Sequence, residues 1–163
     1  MEIRLATAND TDALVEFNLA MALETEGKEL DAEILRRGVA GVFNAKEKGL
    51  YVVAEEAGTI VGGLMITFEW SDWRAKWFWW IQSVYIVPER RGERIYRSLY
   101  DFVKAKASES QDVCGFRLYV ERENANAQKV YKHLGMKSSD YLMYEENVSS
   151  RNSYEEFRLD IEN

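Results

Sequence analysis

The chain has one cysteine, one proline and one histidine in 163 residues. A lone Cys114 cannot close an internal disulfide, and this fits a protein kept in a reducing compartment. With one Cys and one His (His133), a zinc site built on those ligands is excluded. No stretch of about eighteen apolar residues occurs, so no membrane span is expected. The N-terminus, MEIRLATANDTD, lacks a basic region leading into an apolar core, and no secretory signal is expected. Positive charge is also scarce: the net charge is -7, which argues against a nucleic-acid partner. The length predicts one domain over residues 1–163, and the composition points to a cytoplasmic protein.

The first third reads as a strand at Glu2–Ala6 and two helices. Asn9–Asp12 caps the first helix, whose face carries Leu14, Phe17 and Met21. Asp31 caps the second, with Ile34, Leu35, Val39, Val42 and Phe43 on one side. The polar run Glu24–Leu30 between them reads as a loop. Leu50–Glu55 and Thr59–Phe68 form a hairpin turning at Ala57-Gly58, and Gly62-Gly63 marks a bulge or close backbone approach. Trp70–Lys76 reads as a tryptophan-bearing loop. The long apolar run Trp77–Val87 reads as a central strand covered on both faces.

Two segments carry chemistry. VYIVPERRGERIY (Val84 to Tyr96) is a strand, the only proline, a basic turn and a helix that begins near Gly92. The helix buries Ile95, Leu99, Phe102 and Val103. Free amides at a helix N-terminus, together with Arg90, Arg91 and Arg94, make an anion site. The second segment, NANAQKVYKHLGM (Asn124 to Met136), follows a strand at Phe116–Val120. It opens with the N-cap residue Asn124 and carries Ala127, Val130, Tyr131 and Leu134 along one helical stripe. Lys137–Asn147 and Glu155–Ile161 read as closing antiparallel strands, with a mobile loop at Val148–Ser153.

In this order and spacing the two segments resemble the GNAT family, the Gcn5-related N-acetyltransferases. The resemblance implies an α+β fold: a mixed, mostly antiparallel sheet of six to seven strands, about four helices, and a splay at the central parallel pair. It implies acetyl-CoA as cosubstrate, with no metal. The pyrophosphate would lie on Arg91-Gly92-Glu93-Arg94-Ile95-Tyr96, and the pantetheine arm on the backbone of Val84, Tyr85 and Ile86. Asn124 would lie close to the coenzyme. The family turn reads Arg-Gly-x-Gly-x-Gly or Ala; here Arg94 and Tyr96 replace two small residues.

The resemblance gives Tyr131 the role of acid toward the departing thiolate, a role its phenol suits because it is protonated at neutral pH. Many relatives place a base where this chain has Gln82, which can order a water but cannot take a proton. Glu69, Asp72 and Glu121 are the alternatives. All five tryptophans lie between positions 70 and 80. Trp77 and Trp79 point to one sheet face and Trp80 to the other. Trp70 and Trp73 would line an acceptor pocket with Glu69 or Asp72, holding a cation by its charge and by ring contact. Glu26, in the loop that shapes the acceptor site in relatives, would also bind an amine.

Cys114 has no evident base partner, so direct transfer in a ternary complex is expected, to a small-molecule or protein amine. A homodimer paired through the C-terminal strands is compatible with the resemblance. An acyl-CoA-binding sensor without turnover is the alternative function, motivated by Gln82 and the altered turn.

Overall fold

A computed structural model describes residues 1–147. Five strands form one sheet in the order of the chain: β1 (Glu2–Leu5), β2 (Leu50–Glu56), β3 (Thr59–Ser71), β4 (Lys76–Ile86) and β5 (Val113–Arg117). Neighbours pair antiparallel except β4 and β5, which run parallel. Four helices flank the sheet: α1 (Thr11–Glu26), α2 (Ala32–Asn44), α3 (Ile95–Ser110) and α4 (Ala125–His133). None of the helices among the described residues is long and apolar enough to cross a membrane.

The alternation of β2 sets the layers. Tyr51 and Val53 face α1 and α2, packing with Leu14, Val15, Val39 and Val42. Val52 and Ala54 face the other way, toward Ile95, Leu99 and Val103 of α3. The run Tyr51–Ala54 is at most 5% exposed, so β2 is covered on both faces, as is β3 over Val61–Leu64. The expectation of that status for Trp77–Val87 is corrected: β4 buries Ile81 and Tyr85, while Trp77 near its start is 37% exposed.

Local chemistry explains the element ends. The Asp31 carboxylate accepts from the amides of Glu33 and Ile34 at 2.9 Å, capping α2. The β2–β3 turn has positive φ at both Ala57 (49°) and Gly58 (79°), the geometry that matches strand twist in a two-residue hairpin. At Gly62 a Cβ would meet the Ile86 Cδ1 at 2.5 Å and the Tyr85 carbonyl at 3.2 Å, so a side chain there would crowd β4.

Other boundaries moved. The polar run from Glu24 is not all loop: α1 continues to Glu26 and ends at Gly27, whose φ of 62° closes the helix. Trp70 belongs to β3, paired with Trp77 of β4, so the loop shrinks to the turn between Ser71 and Lys76. The strand expected at Phe116–Val120 lies at Val113–Arg117, because Gly115 lets it approach Phe78; a Cβ there would stand 2.8 Å from that ring. Lys137–Asn147 forms no strand, and Tyr141 and Tyr144 are more than 80% exposed. Nothing among the described residues pairs with that run, and strand geometry without a partner has no ladder to hold it. The expected strand Glu155–Ile161 and loop Val148–Ser153 lie outside the described residues.

Candidate active site

The β4–β5 ladder runs from Trp77↔Val113 to Trp80↔Arg117 and stops. β4 continues to Ile86, so Ile81 to Ile86 has no strand on that side among the described residues. On its other side β4 stays paired with β3, through Met65↔Gln82 and Gly63↔Tyr85. Between those pairs β4 carries one residue more than β3, and Ser83 takes it up with φ 50°. A bulge of this kind re-aims the strand that carries it. Here it lies where β4 parts from β5.

Two adjoining cavities open along this gap, of about 590 and 460 Å³. They share Ile86, Arg91, Tyr96 and Val130 as walls. The larger lies over the start of α3 and is strongly basic, with Arg90, Arg91, Arg94, Arg97, Lys129 and His133 around it. The smaller is bounded by Met21, Glu24 and Thr25 of α1, by Val84 to Ile86 of β4, and by Asn124, Asn126, Ala127 and Tyr131 around α4.

The arginines of the turn have different tasks. Arg90 is ion-paired with Glu56 and with Glu93. Arg91 donates to Glu24 at 2.7 Å and to the Ile86 carbonyl at 3.0 Å, with its guanidinium over the Tyr85 ring. Arg94 has no ion pair among the described residues. It stands at the N-cap of α3 with φ 61°, a left-handed conformation that suits glycine. The first bond of the helix is from the Ser98 amide to the Arg94 carbonyl. The amides of Ile95, Tyr96 and Arg97 therefore have no intrahelical acceptor. Gly92 supplies the other left-handed residue of the turn, at φ 87°.

Glu24 is the one carboxylate on the walls of either cavity. It accepts from Arg91 and from the Tyr85 hydroxyl at 2.9 Å. The Arg91 hydrogen bond, and then that from Tyr85, hold its carboxyl below the ordinary range. Sequence reading placed Glu24 in a loop and singled out Glu26 instead, which is paired with Lys28. The available signal was the helical spacing of Phe17, Met21 and Glu24, which puts all three on the face where Phe17 meets the Tyr85 ring at 5.1 Å.

Asn124 caps α4, its side chain accepting from the Ala127 amide at 3.0 Å. That turn aims Tyr131 into the smaller cavity, where burial raises its phenol above the ordinary value. Tyr96 packs edge-to-face against Tyr131, with centroids 5.8 Å apart. The Tyr96 hydroxyl is buried with no hydrogen-bond partner, an arrangement that costs about 1–3 kcal/mol.

The other sequence candidates lie off these walls. Gln82 donates to the Thr67 hydroxyl at 2.6 Å. The Glu69 carboxylate is held by the Trp80 indole and the Arg117 guanidinium. Glu121 is in the loop before α4 rather than at a strand end. Trp70, Asp72 and Trp73 lie at the β3–β4 hairpin tip, with Trp73 86% exposed and Trp70 packed on Trp77 at 5.0 Å. Trp79 faces the α3 core and Trp80 the opposite side, as the alternation predicts.

Comparison with known proteins agrees with this architecture. The Acetyltransferase (GNAT) family profile matches residues 12–136. This chain belongs to that family. It is 43% identical to a structure described as "a possible acetyltransferase from Clostridium difficile 630", with a TM-score of 0.85 over 91% of this chain and 97% of that one. An aminoalkylphosphonate N-acetyltransferase of Salmonella typhimurium is 26% identical over 142 residues, covering 86% of this chain and 87% of the relative. A Clostridium acetobutylicum structure, a "predicted acetyltransferase with acetyl-CoA", shares the fold at 21% identity and a TM-score of 0.72, over 89% and 95% of the two chains. Family and relatives together support acetyl transfer as the general activity.

Proposed function

We propose that this chain, acting as a single domain, transfers the acetyl group of acetyl-CoA to a primary amine by direct attack in a ternary complex. One observation supports this above the others. The basic start of α3, the flank of β4 that no strand among the described residues covers and the Tyr131 phenol lie along two cavities that share walls. The order matches the order of parts in an acyl-CoA: an anionic head, an extended arm and a thioester. The fold relative with acetyl-CoA makes that ligand the natural choice.

In this reading the free amides of Ile95, Tyr96 and Arg97, with the Arg94 guanidinium, bind the pyrophosphate. Arg91, already engaged by Glu24 and Ile86, braces the turn against α1 and β4. Gly92 and Glu93 shape the turn. The pantetheine arm pairs with the open side of Val84 to Ile86, and a backbone N–H there polarises the acetyl carbonyl. Asn124 holds α4 so that Tyr131 reaches the sulfur. As the tetrahedral intermediate collapses, the carbon–sulfur bond breaks and the Tyr131 proton goes to the thiolate.

The acceptor enters past α1, where Glu24 attracts its ammonium. Held low by Arg91, Glu24 is a better anchor than base, and the amine gives its proton to water. The acceptor class we favour is a small primary amine, with aminoalkylphosphonates first to be tried on the strength of the Salmonella relative. Cytoplasmic location and a homodimer belong to the same proposal.

Calorimetric titration with acetyl-CoA, then thiol release on adding a panel of primary amines, tests the reading. Binding with turnover supports it. Binding without turnover on any amine favours an acyl-CoA sensor, the second reading, which the engagement of Gln82 by Thr67 supports. No binding at millimolar acetyl-CoA overturns both.

A further inference from the structure

We infer that Tyr96 is a positioning residue for Tyr131, its hydroxyl donating to the phenolate that Tyr131 becomes on giving up its proton. The inference rests on the acetyl-transfer reading above and adds a second phenol to it.

Tyr96 is the second residue of α3 and Tyr131 lies on α4, and their rings pack edge-to-face at 5.8 Å. The Tyr96 hydroxyl is the one buried side-chain polar atom among the described residues that has no hydrogen-bond partner. Buried donors are ordinarily satisfied, and an unsatisfied one in a cavity wall is available to a charge that forms there during the reaction. Tyr96 lines both cavities and Tyr131 the smaller one. Negative charge on Tyr131 is felt at Tyr96, where it adds to burial in opposing ionisation of the second phenol. Tyr96 thus stays protonated and able to donate.

A phenolate formed at Tyr131 needs such a donor. Burial alone disfavours it. Arg91, the one cation on the wall of the smaller cavity, is committed to Glu24 and to the Ile86 carbonyl. The charged and titratable groups facing Tyr131 around that cavity are Glu24 from α1, Tyr85 from β4, Arg91 from the turn and Tyr96 from α3. The residues that α4 adds to the wall are uncharged. In the step itself, Tyr131 O–H breaks, the coenzyme S–H forms, and the Tyr96 hydroxyl turns its proton toward Tyr131 Oη to make a hydrogen bond that the resting protein lacks. Water restores the Tyr131 proton after release.

The test compares wild type, Tyr96→Phe and Tyr131→Phe. Thiol release from acetyl-CoA with 2-aminoethylphosphonate is followed across alkaline pH, and CoA affinity is measured by calorimetry. Tyr96→Phe is expected to lower kcat about tenfold, with KM for acetyl-CoA and CoA affinity within about twofold. Losing a donor that favours the phenolate raises the pH at which Tyr131 ionises, so the alkaline fall of kcat moves to higher pH. A packing role alone would not move that limb. If Tyr96→Phe fails to fold, Tyr96→Met, whose flexible side chain fills the same gap, repeats the measurement. An unchanged kcat, or an unmoved limb, with Tyr131→Phe strongly impaired overturns the Tyr96 role and leaves acetyl transfer standing. No loss in Tyr131→Phe, or no thiol release by wild type with 2-aminoethylphosphonate or any other amine of the panel, overturns the reading beneath it and the Tyr96 role with it.

Discussion

Arg91 and Glu24 are 67 positions apart in the chain and 2.7 Å apart in the structure. Their ion pair ties the last full turn of α1 to the turn that opens α3. It fixes the wall between the two cavities at the point where the anionic and acyl parts of a coenzyme would meet. It also divides the basic turn: Arg91 is engaged within the protein, and Arg94 has no ion pair among the described residues.

Arg94 carries a conformational cost as well as a charge. Its φ of 61° is strained for any residue with a Cβ, by roughly 1 kcal/mol. Arg94→Gly is therefore expected to raise the melting temperature by about 2–4 °C. It should at the same time weaken CoA binding about tenfold, or ~1.4 kcal/mol. Paired thermal melts and calorimetry check this. Unchanged affinity would remove Arg94 from the phosphate site.

Tyr131→Phe keeps the ring contact with Tyr96 and removes the acid. We expect kcat to fall about 10²-fold, in the range of general acid catalysis, with coenzyme affinity within about twofold. Steady-state kinetics beside direct CoA binding separates the two. A parallel loss of affinity would make the hydroxyl a binding group.

Glu24→Gln should raise KM for the amine several-fold and leave CoA affinity nearly intact, because the neutral amide still accepts from Tyr85 and Arg91. Glu24 is held below the ordinary carboxylate range by the Arg91 hydrogen bond first and then by Tyr85. A depressed folded value means that its stabilising contribution is present above the unfolded value and is lost as pH falls through the folded one. The acceptor KM of wild type is accordingly expected to stay flat from neutrality down to about pH 5. An acid rise above that point would mean that another group binds the amine.

Far from the cleft, Asp10 accepts two hydrogen bonds from the Arg4 guanidinium, at 2.8 and 2.9 Å, and one from the Thr7 amide at 2.7 Å. Its carboxyl is held below the ordinary carboxylate range, chiefly by the Arg4 hydrogen bond. By the same sign, Asp10 stabilises the fold above pH 4, and that contribution fades as pH drops through its lower native value. Asp10→Asn should cost about 1.5–3 kcal/mol at pH 7, since it breaks part-buried hydrogen bonds between charged groups. Urea melts at pH 7 and pH 3 measure this. The penalty should shrink at the lower pH, where wild type begins to lose the same charge.

Local signals with a single strong cause were legible in the sequence. Asp31 and Asn124 are cap residues by type, and both cap. Ala57-Gly58 could hardly be anything but a tight turn. The glycine pair at 62 and 63 announced the close approach to β4, and the Asn124–Met136 pattern gave the helix that carries Tyr131.

Signals set by a distant partner were not legible. Val113–Arg117 contains a glycine and reads poorly as a strand until Phe78 is seen against it. Glu24 looked like solvent-facing polarity because its partners, Tyr85 and Arg91, come from the far side of the fold. Trp70 looked like a loop residue because its strand depends on Trp77. Lys137–Asn147 carries the apolar run Tyr141–Tyr144 that a strand could use, yet pairing needs a neighbour and the pattern cannot supply one. The burial of the Tyr96 hydroxyl depends on how α3 and α4 meet, which no short window contains.

The parting of β4 from β5 after Trp80 bears on aggregation as much as on chemistry. A bare strand flank on the outside of a sheet invites any passing chain to add itself. This one faces the cavities walled by α3 and α4 instead of lying along the outer edge of the sheet. The helices beside it stand where a further strand would have to add, so the same walls that would receive an extended ligand also hinder strand addition.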